Sequence, residues 1–125
     1  MFNNPYKTMI YVADVEAEKN FWSKMGFIIV KEDIILEFPT FEMKISPDSQ
    51  TSFVVYSTAF IEQYSPELLG NQPNLLFFTH NIEMVYQLVK TVSPAVSDLN
   101  ELPYKNFSFE SPNRQFYTVR EEESY

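Results

Sequence analysis

KTMIYVADVEAEKNFWSKMGF, residues 7–27, is the stretch whose reading decides the fold. KTMIYV, Lys7 to Val12, alternates its side chains in the manner of a strand, and Asp14 then stands where a helix wants its N-cap. Glu16 and Glu18 fall in the first turn, where the helix dipole favours acids. Val15, Phe21, Trp22 and Met25 recur with a period of about 3.6 and define one apolar face. Gly26 ends the helix as a C-cap, because a residue without a Cβ tolerates the left-handed conformation. Working outward, FIIVKEDIILEF from Phe27 to Phe38 reads as β broken around Glu32 and Asp33. FEMKI from Phe41 to Ile45 alternates, PDSQ is a turn, and SFVVYS from Ser52 to Ser57 is β-branched and aromatic. The first half is therefore βαβββ.

The pattern then repeats. After a connector, 59–72, with room for a short helical turn, it restarts at NLLFFT, Asn74 to Thr79, and Asn81 is the next N-cap. An offset of 67 residues carries Lys7 onto Asn74, Asp14 onto Asn81, Phe21 onto Leu88 and Trp22 onto Val89. The second helix presents Ile82, Val85, Leu88, Val89 and Val92; AVSDL, KNFSFES, a SPNRQ turn and FYTVRE complete a second βαβββ. The expected organisation is a single α+β domain over 1–125, with module 1 at about 5–58 and module 2 at about 73–121. Two such modules can pair their sheets into one curved mixed sheet with the helices outside, leaving a concave groove for a small molecule.

Composition narrows the function. The chain has 125 residues, with 9 Lys and Arg against 17 Asp and Glu, a net charge of -8 that disfavours a phosphate backbone as partner. It has no cysteine, which removes disulfides, thiol nucleophiles and thiolate metal sites. With two glycines in all, no glycine-rich phosphate loop can be built. Nothing at Met1 to Pro5 reads as a signal peptide and no apolar run reaches the length of a membrane span, so the expectation is a soluble, cytoplasmic protein with no nucleic-acid or membrane partner. The acidic ending EEESY reads as a solvated tail.

IYVADVEAEKNFWSKMGF and NFSFESPNRQFYTVRE resemble the two signature stretches of the vicinal oxygen chelate superfamily, which holds glyoxalase I, extradiol dioxygenases, fosfomycin-resistance enzymes and bleomycin-resistance proteins. The resemblance covers essentially the whole chain and implies the glyoxalase/bleomycin-resistance fold. It also implies where a metal would sit in an enzymatic member: four side chains, typically His, Glu or Gln, one each from the first and fourth strands of both modules. Here those positions fall on Lys7, Asn74, Thr118 and a residue at or beside Val55. None is His or a carboxylate, and a slip of one residue restores no such set. The implied protein has no metal and no cofactor, and the missing ligands weigh against an enzyme.

Strand alternation supplies a groove lining: Lys7, Met9 and Tyr11 from the first strand, Phe53 and Val55 (with Ser57) from the fourth, Asn74, Leu76 and Phe78 from the fifth, and Phe116, Thr118 and Arg120 from the last. This lining suits a flat or amphipathic organic molecule, cationic or aromatic, as the metal-free bleomycin-resistance proteins of the resemblance imply. Lys7 could orient an anionic group or carbonyl in place of the metal; alternatively it pairs with a carboxylate such as Glu37, Glu42 or Glu110, or snorkels to the rim. His80, the single histidine, reads as an exposed corner residue, Trp22 as core, and Tyr104 as either a cover over the groove or a plug at the sheet edge. The leading expectation is a homodimeric small-molecule-binding protein. The rivals are a metal-dependent lyase or dioxygenase-type enzyme with noncanonical ligands, a Tyr and Lys acid-base enzyme, and an interaction module whose groove is filled by its own side chains.

Overall fold

A computed structural model describes residues 1–3 and 5–122. The chain forms two compact units, Met1–Pro73 and Asn74–Tyr125. In the first, β1 (Lys7–Val12) leads to α1 (Val15–Lys24), followed by β2 (Ile28–Ile35), β3 (Phe38–Lys44), β4 (Ser52–Ser57) and α2 (Thr58–Tyr64), with a short 3-10 turn at Pro66–Leu68. The sheet order is β1-β4-β3-β2, with β1 parallel to β4 and the other pairs antiparallel.

Helix α1 is built as its sequence dictates. The Asp14 carboxylate accepts the Ala17 N–H at 3.1 Å, filling one of the donors that a helix start leaves free. At the other end Met25 is the C-cap and Gly26, at φ +93°, follows it; Gly26 N–H donates to Ser23 O and Phe27 N–H to Trp22 O. That is a Schellman motif, and its usual apolar contact is the Trp22 and Phe27 rings at 4.6 Å. Val15, Phe21 and Trp22 are buried against a sheet face made of Ile10, Val12, Phe41, Met43, Phe53 and Val55. Glu18 departs from the expected first-turn surface acid: it is fully buried, and the Trp22 indole N–H donates to its carboxylate at 2.8 Å.

The strand break expected at Glu32 and Asp33 lies instead at Leu36 and Glu37. These two residues form the loop between β2 and β3 at φ +49° and +73°, the left-handed pair that a two-residue hairpin requires to match strand twist. Neither is Gly or Asn, so the local signal for that turn is missing. The outer edge of the sheet, β2, is guarded by a bulge between Ile29 and Lys31 and by Asp33, whose carboxylate accepts the Ile34 N–H at 2.8 Å.

The second unit repeats the plan with β5 (Leu76–Thr79), α3 (Ile82–Val92), β6 (Ala95–Val96), β7 (Asn106–Glu110) and β8 (Phe116–Glu121), in the order β5-β8-β7-β6 with β5 parallel to β8. Asn81 caps α3 through the Met84 N–H. Ile82 and Val89 are buried over Phe107, Phe109, Tyr117 and Val119, but Leu88, the counterpart of Phe21, is 42% exposed. The apolar stripe thus keeps its phase but not its width. Both units are βαβββ with a mixed four-stranded sheet, the α+β tandem-module class expected. Of the acidic ending, Glu121 belongs to β8 and the Glu122 N–H bonds Thr79 O at 2.8 Å, which corrects the reading of these two as a free tail; residues 123–125 lie outside the described residues. No helix among the described residues is long and apolar enough to cross a membrane.

Candidate functional site

Each sheet has one face covered by its helix and one face left open. On the open face of the first unit, the pairing of Lys7 with Ser52, Met9 with Val54 and Tyr11 with Tyr56 aligns β1 with β4, and Thr40 and Glu42 of β3 continue the rows. Phe53 and Val55 therefore do not line this face. They pair with Thr8 and Ile10 and lie in the core at 7% and 0% exposure, so the expected phase of β4 is corrected by one residue. The reason is the helix: α1 needs the larger apolar set beneath it, and Ser57, on the same face as those two, is buried where it caps α2 through the Ala59 N–H.

Tyr11 is likewise closed off. The Gln72 side chain accepts from the Tyr11 N–H at 3.3 Å and donates to its carbonyl at 2.8 Å, standing in for a neighbouring strand at the sheet edge, while the Tyr11 hydroxyl donates to Asn71 O. The connector thus seals the end of β1, leaving Tyr11 4% exposed. Met9, at 37%, and Lys7 remain accessible.

Lys7 Nζ donates to Glu42 Oε1 at 3.0 Å, the ion pair among the roles open to it from sequence. Burial pushes the Glu42 carboxyl up, but hydrogen bonds from Ser52 and Lys7 and the charges of Lys7 and Lys44 outweigh it, leaving its pKa below the ordinary value. A depressed pKa contributes stability that is present above the unfolded value, about 4.3, and is lost as pH falls through the folded one. Glu42→Gln is accordingly expected to lower the urea midpoint at pH 7, with the gap to the parent chain shrinking below pH 4; a gap that widens in acid would contradict the assignment.

Lys7, Lys31, Asp33, Glu42, Val54 and Tyr56 surround a cavity of about 240 Å³ on this open face. Beside it is an aromatic cluster that the sequence reading missed: Tyr56 stacks on Phe60 of α2 at 5.6 Å and 15°, with Phe38 and Tyr64 at 5.9 and 5.4 Å from the same ring. The signal was present in Ser57 as a cap followed by Phe60 and Tyr64 at a helical spacing of four. A larger cleft, about 490 Å³, opens on the helix side of the same sheet by Val15, Lys19, Glu32, Ile34 and Phe41. Its cation is already committed: Lys19 bonds Glu16 at 2.8 Å and Glu32 at 2.6 Å, and these bonds hold its pKa above the ordinary lysine value. The smaller cavity lies on the open face, where the first-strand candidates Lys7 and Met9 remain accessible, and is the better candidate.

On the open face of the second unit the expected phase is the observed one. Leu76 pairs with Thr118 and Phe78 with Arg120, so Leu76, Phe78, Phe116, Thr118 and Arg120 share that face, with Leu76, Phe78 and Phe116 exposed at 44%, 53% and 70%. Thr118 and Ser108 share a hydroxyl hydrogen bond at 3.2 Å. Asn74 stands exposed two residues before β5. Tyr104 lies on the Arg120 guanidinium, ring centroid to Cζ 3.7 Å, and Phe78 flanks it at 5.6 Å. His80 is an exposed corner residue bonding Glu122 O through Nδ1 at 3.1 Å.

The donor set does not fit a divalent metal. Among the described residues no three His, Asp or Glu side chains come together. At the four positions where the fold would offer ligands stand an ammonium paired with a carboxylate, a neutral amide, a threonine hydroxyl bonded to serine, and the valine pair Val54 and Val55.

Searches against protein-family models and curated protein sequences give no match. Solved structures do match. TnmS3, an antibiotic binding protein from Streptomyces sp. CB03234, superposes with a TM-score of 0.75 at 16% identity over 98% of each chain. A glyoxalase family protein from Enterococcus faecalis gives 0.70 at 19%, covering 95% of this chain and 98% of that one. A bleomycin-binding protein complexed with bleomycin gives 0.67 at 13%, covering 97% and 100%. At these identities the likeness shows the fold: the chain has the glyoxalase/bleomycin-resistance fold.

Proposed function

We propose that this chain is a metal-free binding protein of the glyoxalase/bleomycin-resistance group, a cytoplasmic homodimer that holds a small organic molecule on the open face of a sheet. The observation that carries this reading is the exposed set Leu76, Phe78 and Phe116 in register with the polar Thr118 and Arg120. Exposed aromatic area beside a few fixed polar groups is what a ligand-binding surface needs, and it is costly to leave bare in water. The same bareness supports a second copy of the chain as partner. Two proteins of the same fold, one antibiotic-binding and one bleomycin-binding, add support. A metal-dependent lyase or dioxygenase is the weaker reading, because Glu42, the carboxylate nearest Lys7, is already occupied by Ser52 and Lys7.

The test is thermal unfolding of EDTA-treated protein against a panel of aromatic and amphipathic compounds, followed by divalent metals alone. A ligand that binds only the folded state at a hundred times its Kd adds about 2.7 kcal/mol, a rise of several degrees in Tm. An organic compound producing that rise without metal is the expected result. A rise with metal alone, and none with any organic compound, would put the enzyme reading first. Sedimentation equilibrium checks the dimer.

A further inference from the structure

We infer that the open face of the second unit takes an anion, a carboxylate or similar oxyanion carried on an aromatic ring, with Arg120 as its anchor. This rests on the small-molecule reading above and names the class of molecule.

Arg120 is set apart by burial of its donor. Acids outnumber bases 17 to 9, and Lys7, Lys19 and Lys105 each hold a carboxylate at 3.0 Å or less, while Lys24, Lys44, Lys90 and Arg114 form no ion pair among the described residues. The Arg120 side chain has no hydrogen bond or ion pair among the described residues, and its Nε is buried with no acceptor. Buried donors are nearly always satisfied, so an orphan of this kind asks for a group from outside. By alternation two carboxylates share this face: Glu110, paired with Phe116 and about 13 Å from Arg120 at strand spacing, and Glu122, two residues beyond Arg120, whose carboxylate lies 3.8 Å from His80 Nε2; neither forms an ion pair with Arg120.

The guanidinium is also held in place. Tyr104 covers it at 3.7 Å and Phe78 flanks it at 5.6 Å, contacts that restrict where it can point. Tyr104 is itself pinned, because Asn106, the residue opposite Arg120 on β7, donates its amide to the carbonyls of Tyr104 at 2.6 Å and Leu102 at 3.3 Å. An oriented planar fork with free donors matches the two oxygens of a carboxylate. Around it, Phe78 and Leu76 offer apolar surface for a ring, and the Thr118 hydroxyl stands two residues along the same strand face. A cationic ligand, which net charge alone would favour, meets an unneutralised guanidinium here.

The experiment uses three matched probes, 2-naphthoate, 2-naphthamide and 2-naphthylmethylammonium, titrated into the full chain by calorimetry in EDTA at two salt concentrations. The expected result is that naphthoate binds at least about tenfold tighter than the amide, with the preference weakening in higher salt. Arg120→Met is expected to bring naphthoate to the level of the amide while changing amide affinity less than about twofold, so amide binding confirms that the variant is folded. Arg120→Lys keeps the charge but not the fork and should restore part of the preference. If the amide or the ammonium binds as tightly as naphthoate, or Arg120→Met leaves naphthoate unchanged, the anion site is overturned and the small-molecule reading stands. If none of the three binds, both fall.

Discussion

Trp22→Ala is expected to bring the chain close to unfolding at room temperature. The indole is 1% exposed, meets Phe21 edge-on at 5.2 Å and 83°, and tilts against Phe27 at 4.6 Å across the helix stop. Removing a buried aromatic of this size costs about 3–5 kcal/mol, against a total of about 5–15 for a domain. A further loss arises at Glu18, whose buried carboxylate gives up the indole donor at 2.8 Å. Urea unfolding followed by far-UV circular dichroism measures the effect, and a cost below 1 kcal/mol would contradict the packing described. Glu18 separates the two contributions. Glu18→Gln keeps an acceptor for the indole and should cost less than Glu18→Ala, which leaves a buried N–H short of its partner at about 1–3 kcal/mol; a double-mutant cycle with Trp22→Phe isolates the pair.

Phe107→Ala should do comparable damage in the second unit. Phe107 is fully buried on β7, with Tyr86 of α3 edge-on at 5.0 Å and Phe109 at 6.4 Å, so the ring is one of the contacts through which helix and sheet meet. The expected cost is again about 3–5 kcal/mol, seen as an early loss of near-ultraviolet ellipticity from the tyrosines around it. Phe107→Leu, which keeps most of the volume, should lose less than half as much. Equal losses for the two variants would mean that shape at this position does not matter and that the helix is held elsewhere.

Much of this architecture was legible because local chemistry and long-range packing agree. Asp14, Gly26 and the spacing of Val15, Phe21 and Trp22 point to one helix with one buried face, and the recurrence of the pattern at Asn81 announces the second unit. The failures occurred where two readings were equally good locally. SFVVYS is apolar on both faces, so its phase is decided only by the pairing of Lys7 with Ser52, which no short window contains. Leu36 and Glu37 adopt left-handed turn geometry without the residues that usually mark it, which moved the strand break. Glu18 looked like a first-turn acid; its spacing of four from Trp22, whose N–H needs an acceptor when buried, was the available clue. Tyr11 was lost to Gln72, sixty-one residues away. In the second unit the strand phase was legible, because the exposed Leu76, Phe78 and Phe116 alternate with the half-buried Phe77 and the buried Tyr117. The stacking of Tyr104 on Arg120 depends on a loop whose path only the fold supplies.

The most direct test of the account is to map a bound organic ligand on metal-stripped protein by amide chemical-shift perturbation. Shifts are expected to concentrate at Leu76, Phe78, Thr118 and Arg120, with EDTA present throughout. Shifts confined to the helix-side cleft at Glu16, Lys19, Glu32 and Ile34, or none until a divalent metal is added, would contradict it.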